Sequence, residues 1–173
     1  SLKAKVFFDE IKVKKYLAKK GISFSQPEEL PAIFYPILFV GDDFKNFSEN
    51  FFYKNWIETK IDSELINFIL PLEDLDDISK IIKMKNQIEE LNIFSLVNKY
   101  NVKNFAFTLM NYENNKLHVY LKTNFNSREA SKNIVYEINS IDNDLFLKPI
   151  LKDLKLKITD LWKEENLINV LMP

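Results

Sequence analysis

Three successive segments in the second half of the chain alternate apolar and polar side chains with a period of two. Phe105, Phe107 and Leu109 share one face of residues 104–110. Leu117, Val119 and Leu121 share one face of residues 116–123, and Ile134, Tyr136 and Ile138 one face of residues 131–139. Successive side chains of a strand point to opposite faces, so this period reads as three half-buried strands. The breaks between them, residues 111–115 and 124–129, are short and polar. Short breaks join antiparallel neighbours, since parallel strands need a crossover of a dozen residues or more. The region is expected to form an antiparallel meander. A fold for this chain must therefore be built around a sheet.

The remaining segments supply more strands and the helices that cover them. Leu2, Ala4, Val6 and Phe8 alternate as a strand, Asp9 caps a helix from Glu10 to Lys20 with Val13, Tyr16 and Leu17 on its apolar side, and Gly21 ends it. Residues 32–40 are continuously apolar, the signature of a strand buried on both faces. Pro36 removes one ladder donor from it and argues for an edge position or a bulge. Residues 65–72 read as a further strand. Helical spacing then runs from Ile78 through Ile81, Ile82, Ile88, Leu91, Phe94, Leu96 and Val97, with a break expected at Asn86 or Asn92 and a C-cap at Asn101.

Residues 142–166 also read as helix, through Leu147, Ile150, Leu151, Leu154, Ile158, Leu161 and Trp162. Proline fits only the first turn of a helix, so its regular part is expected to begin close to Pro149. A short strand at Leu154, Leu156 and Ile158 is the alternative, and residues 167–172 could form a final strand. The expected fold is α/β (α+β), one mixed β-sheet with the antiparallel meander and helices packed on it. One domain spans residues 1–173. Its first residues resemble a strand already under way, so the chain reads as a fragment lacking upstream residues.

Composition narrows the function. Of 173 residues 46% are hydrophobic and 28% charged, with a net charge of −1. Such a balance gives no whole-domain attraction to nucleic acid or anionic membrane. The absence of cysteine removes thiolate catalysis, cysteine–zinc sites and iron–sulfur clusters, and one histidine removes His-rich metal sites. Arg128 is the single arginine, which argues against a dedicated phosphate reader, because lysine lacks the bidentate fork. Gly21 and Gly41 are the only glycines, so no glycine-rich phosphate loop exists and no cofactor is implied. The longest apolar run, residues 30–40, is too short to cross a membrane. No signal peptide is legible at the start.

Few residues remain that could carry chemistry. The run Glu73, Asp74, Asp76, Asp77 is the one dense carboxylate cluster, and it follows a predicted strand, where α/β proteins often bind ligands. Asp74 and Asp77 could support a metal-dependent enzyme or a small-ligand site. The same residues equally suit a helix N-terminus, where carboxylates cap free N–H groups. No second acidic cluster completes a coordination sphere, so no metal site and no catalytic residue is assigned. His118 lies on the polar face of its strand. Lys148, Lys152, Lys155 and Lys157 are the best basic face, diluted by neighbouring acids; no nucleic-acid partner is expected. Phe44, Phe47, Phe51 and Trp56 belong to a dense aromatic stretch at helical spacing. It reads either as a core-facing helix or as an interaction surface for a partner or a membrane interface.

Three motifs occur in order: Val6-Phe7-Phe8-Asp9, Leu70-Pro71-Leu72-Glu73-Asp74-Leu75-Asp76-Asp77, and Leu96-Val97-Asn98-Lys99-Tyr100-Asn101 leading into the hairpin. This order resembles a domain-of-unknown-function family of proteobacterial exported proteins. The last motif departs from it, with Tyr100-Asn101-Val102 where Tyr-Gly-Ala is usual. The helix and hairpin unit is also similar to the N-terminal domain of periplasmic TolB. The first resemblance implies a periplasmic or envelope-associated location, with cytoplasmic as the alternative. It allows an envelope protein partner, and supplies no activity and no catalytic residues. The leading expectation is a non-enzymatic interaction or assembly module, with the aromatic stretch as its surface; oligomeric state is left open.

Overall fold

The computed structural model describes residues 30–62 and 64–171. The strand and helix expected within residues 2–20 lie outside them. The described chain forms one mixed sheet of six strands with helices on both faces, the α/β class expected.

The long strand β1 (Leu30–Val40) organises the sheet. On one side it runs parallel to β4 (Phe105–Glu113), from Ile33↔Phe105 to Val40↔Tyr112. Beyond β4 lie β5 (Lys116–Phe125) and β6 (Arg128–Glu137), each antiparallel to its predecessor, so the meander is present as expected. Its turns are tighter than the sequence suggested. Asn114 and Asn115 at φ 54° and 59°, then Asn126 and Ser127 at 54° and 64°, form two-residue connections. Positive φ at both central positions matches the right-handed twist of the flanking strands. Asparagine is one of the few non-glycine residues that visits this region routinely, and in a chain with two glycines it takes glycine's place.

The other side of β1 is shared. Its first residues pair in parallel with β3 (Ile66–Ile69), and its last two pair antiparallel with β2 (Asp43–Phe44). No described strand pairs with the middle of that side. Pro36 sits there, its carbonyl accepting from Asn50 Nδ2 at 3.3 Å. A proline in the central strand is thus tolerated because its missing N–H faces a gap in the ladder, a local edge within a strand buried on both faces.

Even-numbered residues of β1 face one core and odd-numbered residues the other. Ala32, Phe34 and Leu38 join Met110, Leu117, Val119 and Leu121 under helix α4 (Asp144–Leu171). Ile33, Tyr35, Ile37 and Phe39 join Phe105, Phe107 and Leu109 under helices α2 (Leu75–Lys83) and α3 (Phe94–Val97), with the 3-10 turn Lys85–Glu90 between them. The helical run therefore does break between Ile82 and Phe94, and Asn101 closes it at φ 56°.

Helix α4 differs from expectation at both ends. Asn143 caps it, its Oδ1 accepting from Leu145 N at 3.0 Å, so Pro149 falls inside the helix rather than at its start. The helix runs on through Leu171, which replaces the final strand and excludes the short strand at 154–158. Leu147, Ile150, Leu151, Leu154, Ile158, Leu161 and Trp162 point into the sheet from it.

Candidate functional site

The aromatic stretch is not one helix. Phe44 is half-buried in β2, Phe47 lies in the 3-10 turn Phe47–Glu49, and Phe51 opens the short helix α1 (Phe51–Asn55), with Trp56 as its C-cap. Asn50 caps α1, accepting from Phe52 N and Tyr53 N while its Nδ2 holds the Pro36 carbonyl. This short stretch straddles the sheet edge. Phe51 and Trp56 enter the core under α4, Trp56 stacking on Phe34 with ring centroids 3.5 Å apart. Phe47 enters the opposite core against Tyr35 and stacks on Tyr53 at 4.2 Å. The aromatic partner surface is therefore corrected. Phe47, Phe51 and Trp56 are core residues, and only Phe44 keeps part of its ring exposed, because burial of large apolar area dominates the energetics here.

Three of the four acidic side chains of this segment, those of Glu73, Asp74 and Asp77, make internal bonds. Glu73 Oε1 accepts from Phe47 N at 2.8 Å. Asp74 is the N-cap of α2, its Oδ1 accepting from Asp76 N and Asp77 N at 2.9 and 3.2 Å. Its other oxygen pairs with Lys99 Nζ at 3.0 Å, and Lys99 also pairs with the buried Asp77. The Lys99 hydrogen bond, helped by the two backbone N–H donors, holds the Asp74 carboxyl below the usual range. The Asp77 carboxylate in turn pushes the Lys99 ammonium up, against a smaller opposing effect of desolvation. Asp74 and Asp77 do converge, but on an ammonium of the same chain, which sits where a cation would. Among the described residues no group of three His, Asp or Glu side chains could hold a metal ion. Next to this pair the Tyr35 hydroxyl is buried without a hydrogen-bond partner. Burial first, then the nearby Asp77, Tyr100 and Asp74, raise its pKa far above that of an ordinary tyrosine.

The lysines of α4 separate. Lys155 points inward, its Nζ donating to the carbonyls of Trp56 at 2.8 Å and Thr59 at 2.6 Å at the end of α1. Burial pushes its ammonium down, opposed by Glu64. Lys157 pairs with Asp153, which also accepts from the Tyr136 hydroxyl at 2.6 Å. Lys148 and Lys152 are exposed, Lys157 is half-exposed in its pair with Asp153, and Lys155 is buried, so the basic face is split. His118 is exposed on β5, opposite Asn111 and Val135, with no carboxylate or hydroxyl partner across the strands.

Leu72 and Leu75, 73% and 81% exposed, are exposed apolar side chains beside the acidic segment, and a second exposed apolar surface lies at the start of α4. Leu145 is 74% exposed and Phe146 40%. Two open grooves of about 510 Å³ each flank them, and Leu145 and Pro149 line both. One groove lies against α1, between Phe51, Lys60, Lys148 and Lys152. The other lies against the end of β6, at Glu137 and Ile138. The sequence carried a signal for this ridge that periodicity alone passed over. Leu145 and Phe146 precede the 147–150–151–154 stripe and fall outside it. Apolar residues off the buried stripe of an amphipathic helix face water.

No family model matches this chain, and no curated protein and no solved structure matches it either.

Proposed function

We propose that this chain is a non-enzymatic interaction or assembly domain. The observation that carries the reading is the exposed Leu145–Phe146 ridge between its two grooves. Large apolar side chains left in water beside concave surface fit a protein contact, with the side chains as anchors. The internal use of Glu73, Asp74 and Asp77 supports it from the other direction, since Glu73 bonds to Phe47 N while Asp74 and Asp77 face the Lys99 ammonium. The reading includes a bacterial envelope location, which rests on the resemblance of the motifs at Val6–Asp9 and Leu70–Asp77. No helix among the described residues is long and apolar enough to cross a membrane.

The test is a photo-crosslinking amino acid placed at position 145 in cells producing the protein, with fractionation of the same cells. The expected result is a discrete protein adduct in the envelope fraction, absent when the crosslinker is moved to exposed Asp160. The competing reading, a ligand or metal site at Asp74 and Asp77, is checked by thermal unfolding against divalent metals, nucleotides and sugar phosphates. A ligand at one hundred times its dissociation constant adds about 2.7 kcal/mol, a rise of roughly 5–10 °C at this size. A flat panel is expected. A rise of that size abolished by Asp74→Asn, with no adduct at 145, overturns the proposal.

A further inference from the structure

The two grooves beside Leu145 have the same size and share two lining residues, yet differ in charge. The groove against β6 has Glu137 as its one charged wall. The groove against α1 has Lys60, Lys148 and Lys152 and no acidic lining residue. Lys148 and Lys152 are one helical turn apart on the side of α4 that carries Leu145 and Pro149, so their ammonium groups stand along one rim. Lys60 stands on the α1 side, loosely paired with Glu64 at 3.7 Å. No described residue forms an ion pair or hydrogen bond with the ammonium group of Lys148 or Lys152. In a chain of net charge −1, three lysines around an apolar floor of Phe51, Leu145 and Pro149 are a local exception.

We infer that the groove between α1 and the start of α4 receives an acidic amphipathic segment of a partner protein. Its carboxylates lie over Lys148, Lys152 and Lys60, and an apolar side chain packs on Leu145 and Pro149. The inference rests on the interaction-domain reading and names the chemistry of its partner. Lysine suits this use because its charge needs no fixed fork geometry. Charge complementarity of this kind sets orientation and partner choice, while the apolar floor supplies the contact that salt does not screen. A polyanion without apolar groups would use only the rim.

The full chain is titrated with fluorescein-labelled twelve-residue peptides: one alternating Glu and Leu, one alternating Lys and Leu, one of Glu alone, and a single-stranded oligonucleotide of equal charge. The Glu–Leu peptide is expected to bind at least tenfold more tightly than any other probe. Lys148→Glu with Lys152→Glu should weaken it at least tenfold, and Leu145→Asp likewise, with melting temperatures unchanged because all three side chains are exposed. Equal binding of the all-Glu peptide or the oligonucleotide overturns the inference in favour of a bare cationic surface. No binding, or binding indifferent to these substitutions, also overturns it. A discrete crosslinked adduct at position 145 together with no peptide binding would sink the acidic-segment inference and leave the interaction reading standing. Failure of both would remove both.

Discussion

Lys99 is the residue on which the acidic segment depends. It is 40% exposed on its side chain, whereas Asp77 is 5% exposed, so the pair is buried on one side only. Breaking a fully buried pair by removing one partner costs about 3–5 kcal/mol. Solvent around Lys99 reduces that, and Lys99→Met is expected to cost about 2 kcal/mol in urea unfolding. Adding Asp77→Asn should restore at least half of the loss, because the uncompensated charge disappears with it. A Lys99→Met protein as stable as the parent would show that Asp77 does not need its ammonium. Lys99 falls in one of the family-like motifs, but its pairing was not legible in the sequence, since its carboxylates lie more than twenty positions earlier. Asp74 as a helix cap, in contrast, was readable from the run of acids before an apolar helical stripe.

At the scale of elements, the last strand is tied to the last helix by two polar links. Tyr136 on β6 donates to Asp153 on α4, and Arg128 pairs with Glu165 at 3.4 Å. Burial pushes the Asp153 carboxyl up, and the bonds from Lys157 and Tyr136 together outweigh it, so the group is held below its ordinary 3.8. Asp74 is held down as well, chiefly by Lys99. A carboxylate with a lowered folded pKa stabilises the fold above its unfolded value, and that contribution is lost as pH falls through the folded one. Stability should therefore be flat from neutrality to about pH 5 and fall below about pH 4. Asp153→Asn should shallow the decline, measured by urea midpoints at each pH. An unchanged profile would mean that the β6–α4 link contributes no proton-linked stability.

For the whole molecule, the decisive feature is that β1 faces two cores and that α1 bridges them at the sheet edge. Trp56 is fully buried, stacked on Phe34, with the Lys155 ammonium 5.5 Å from its ring. Trp56→Ala should cost about 3–5 kcal/mol, the range for large aromatic deletions. It should also slow amide exchange nowhere and speed it first in β1 and β3. A loss below about 1 kcal/mol would mean that the aromatic stretch is peripheral after all. The aromatic spacing suggests a core-facing helix or an interaction surface. The structure uses the same residues in a strand, a 3-10 turn and a short helix, because each ring is drawn to whichever core lies nearest.

What the sequence determined by itself is what depends on neighbours along the chain. The meander, the two-sided burial of β1, the cap at Asp74, the stop at Asn101 and the apolar stripe of α4 all follow from period and local hydrogen bonding. Only the tertiary structure decided what depends on groups far apart in sequence. It places Pro36 at a gap between β2 and β3, turns Lys155 inward to the end of α1, and sets Lys99 between Asp74 and Asp77. It also brings Lys60 beside Lys148 and Lys152 at an exposed leucine. The physical reason is that periodicity reports which face of an element is apolar. The partner opposite that face, and hence whether a charge ends in a core, a pair or a groove, is chosen only when the elements pack.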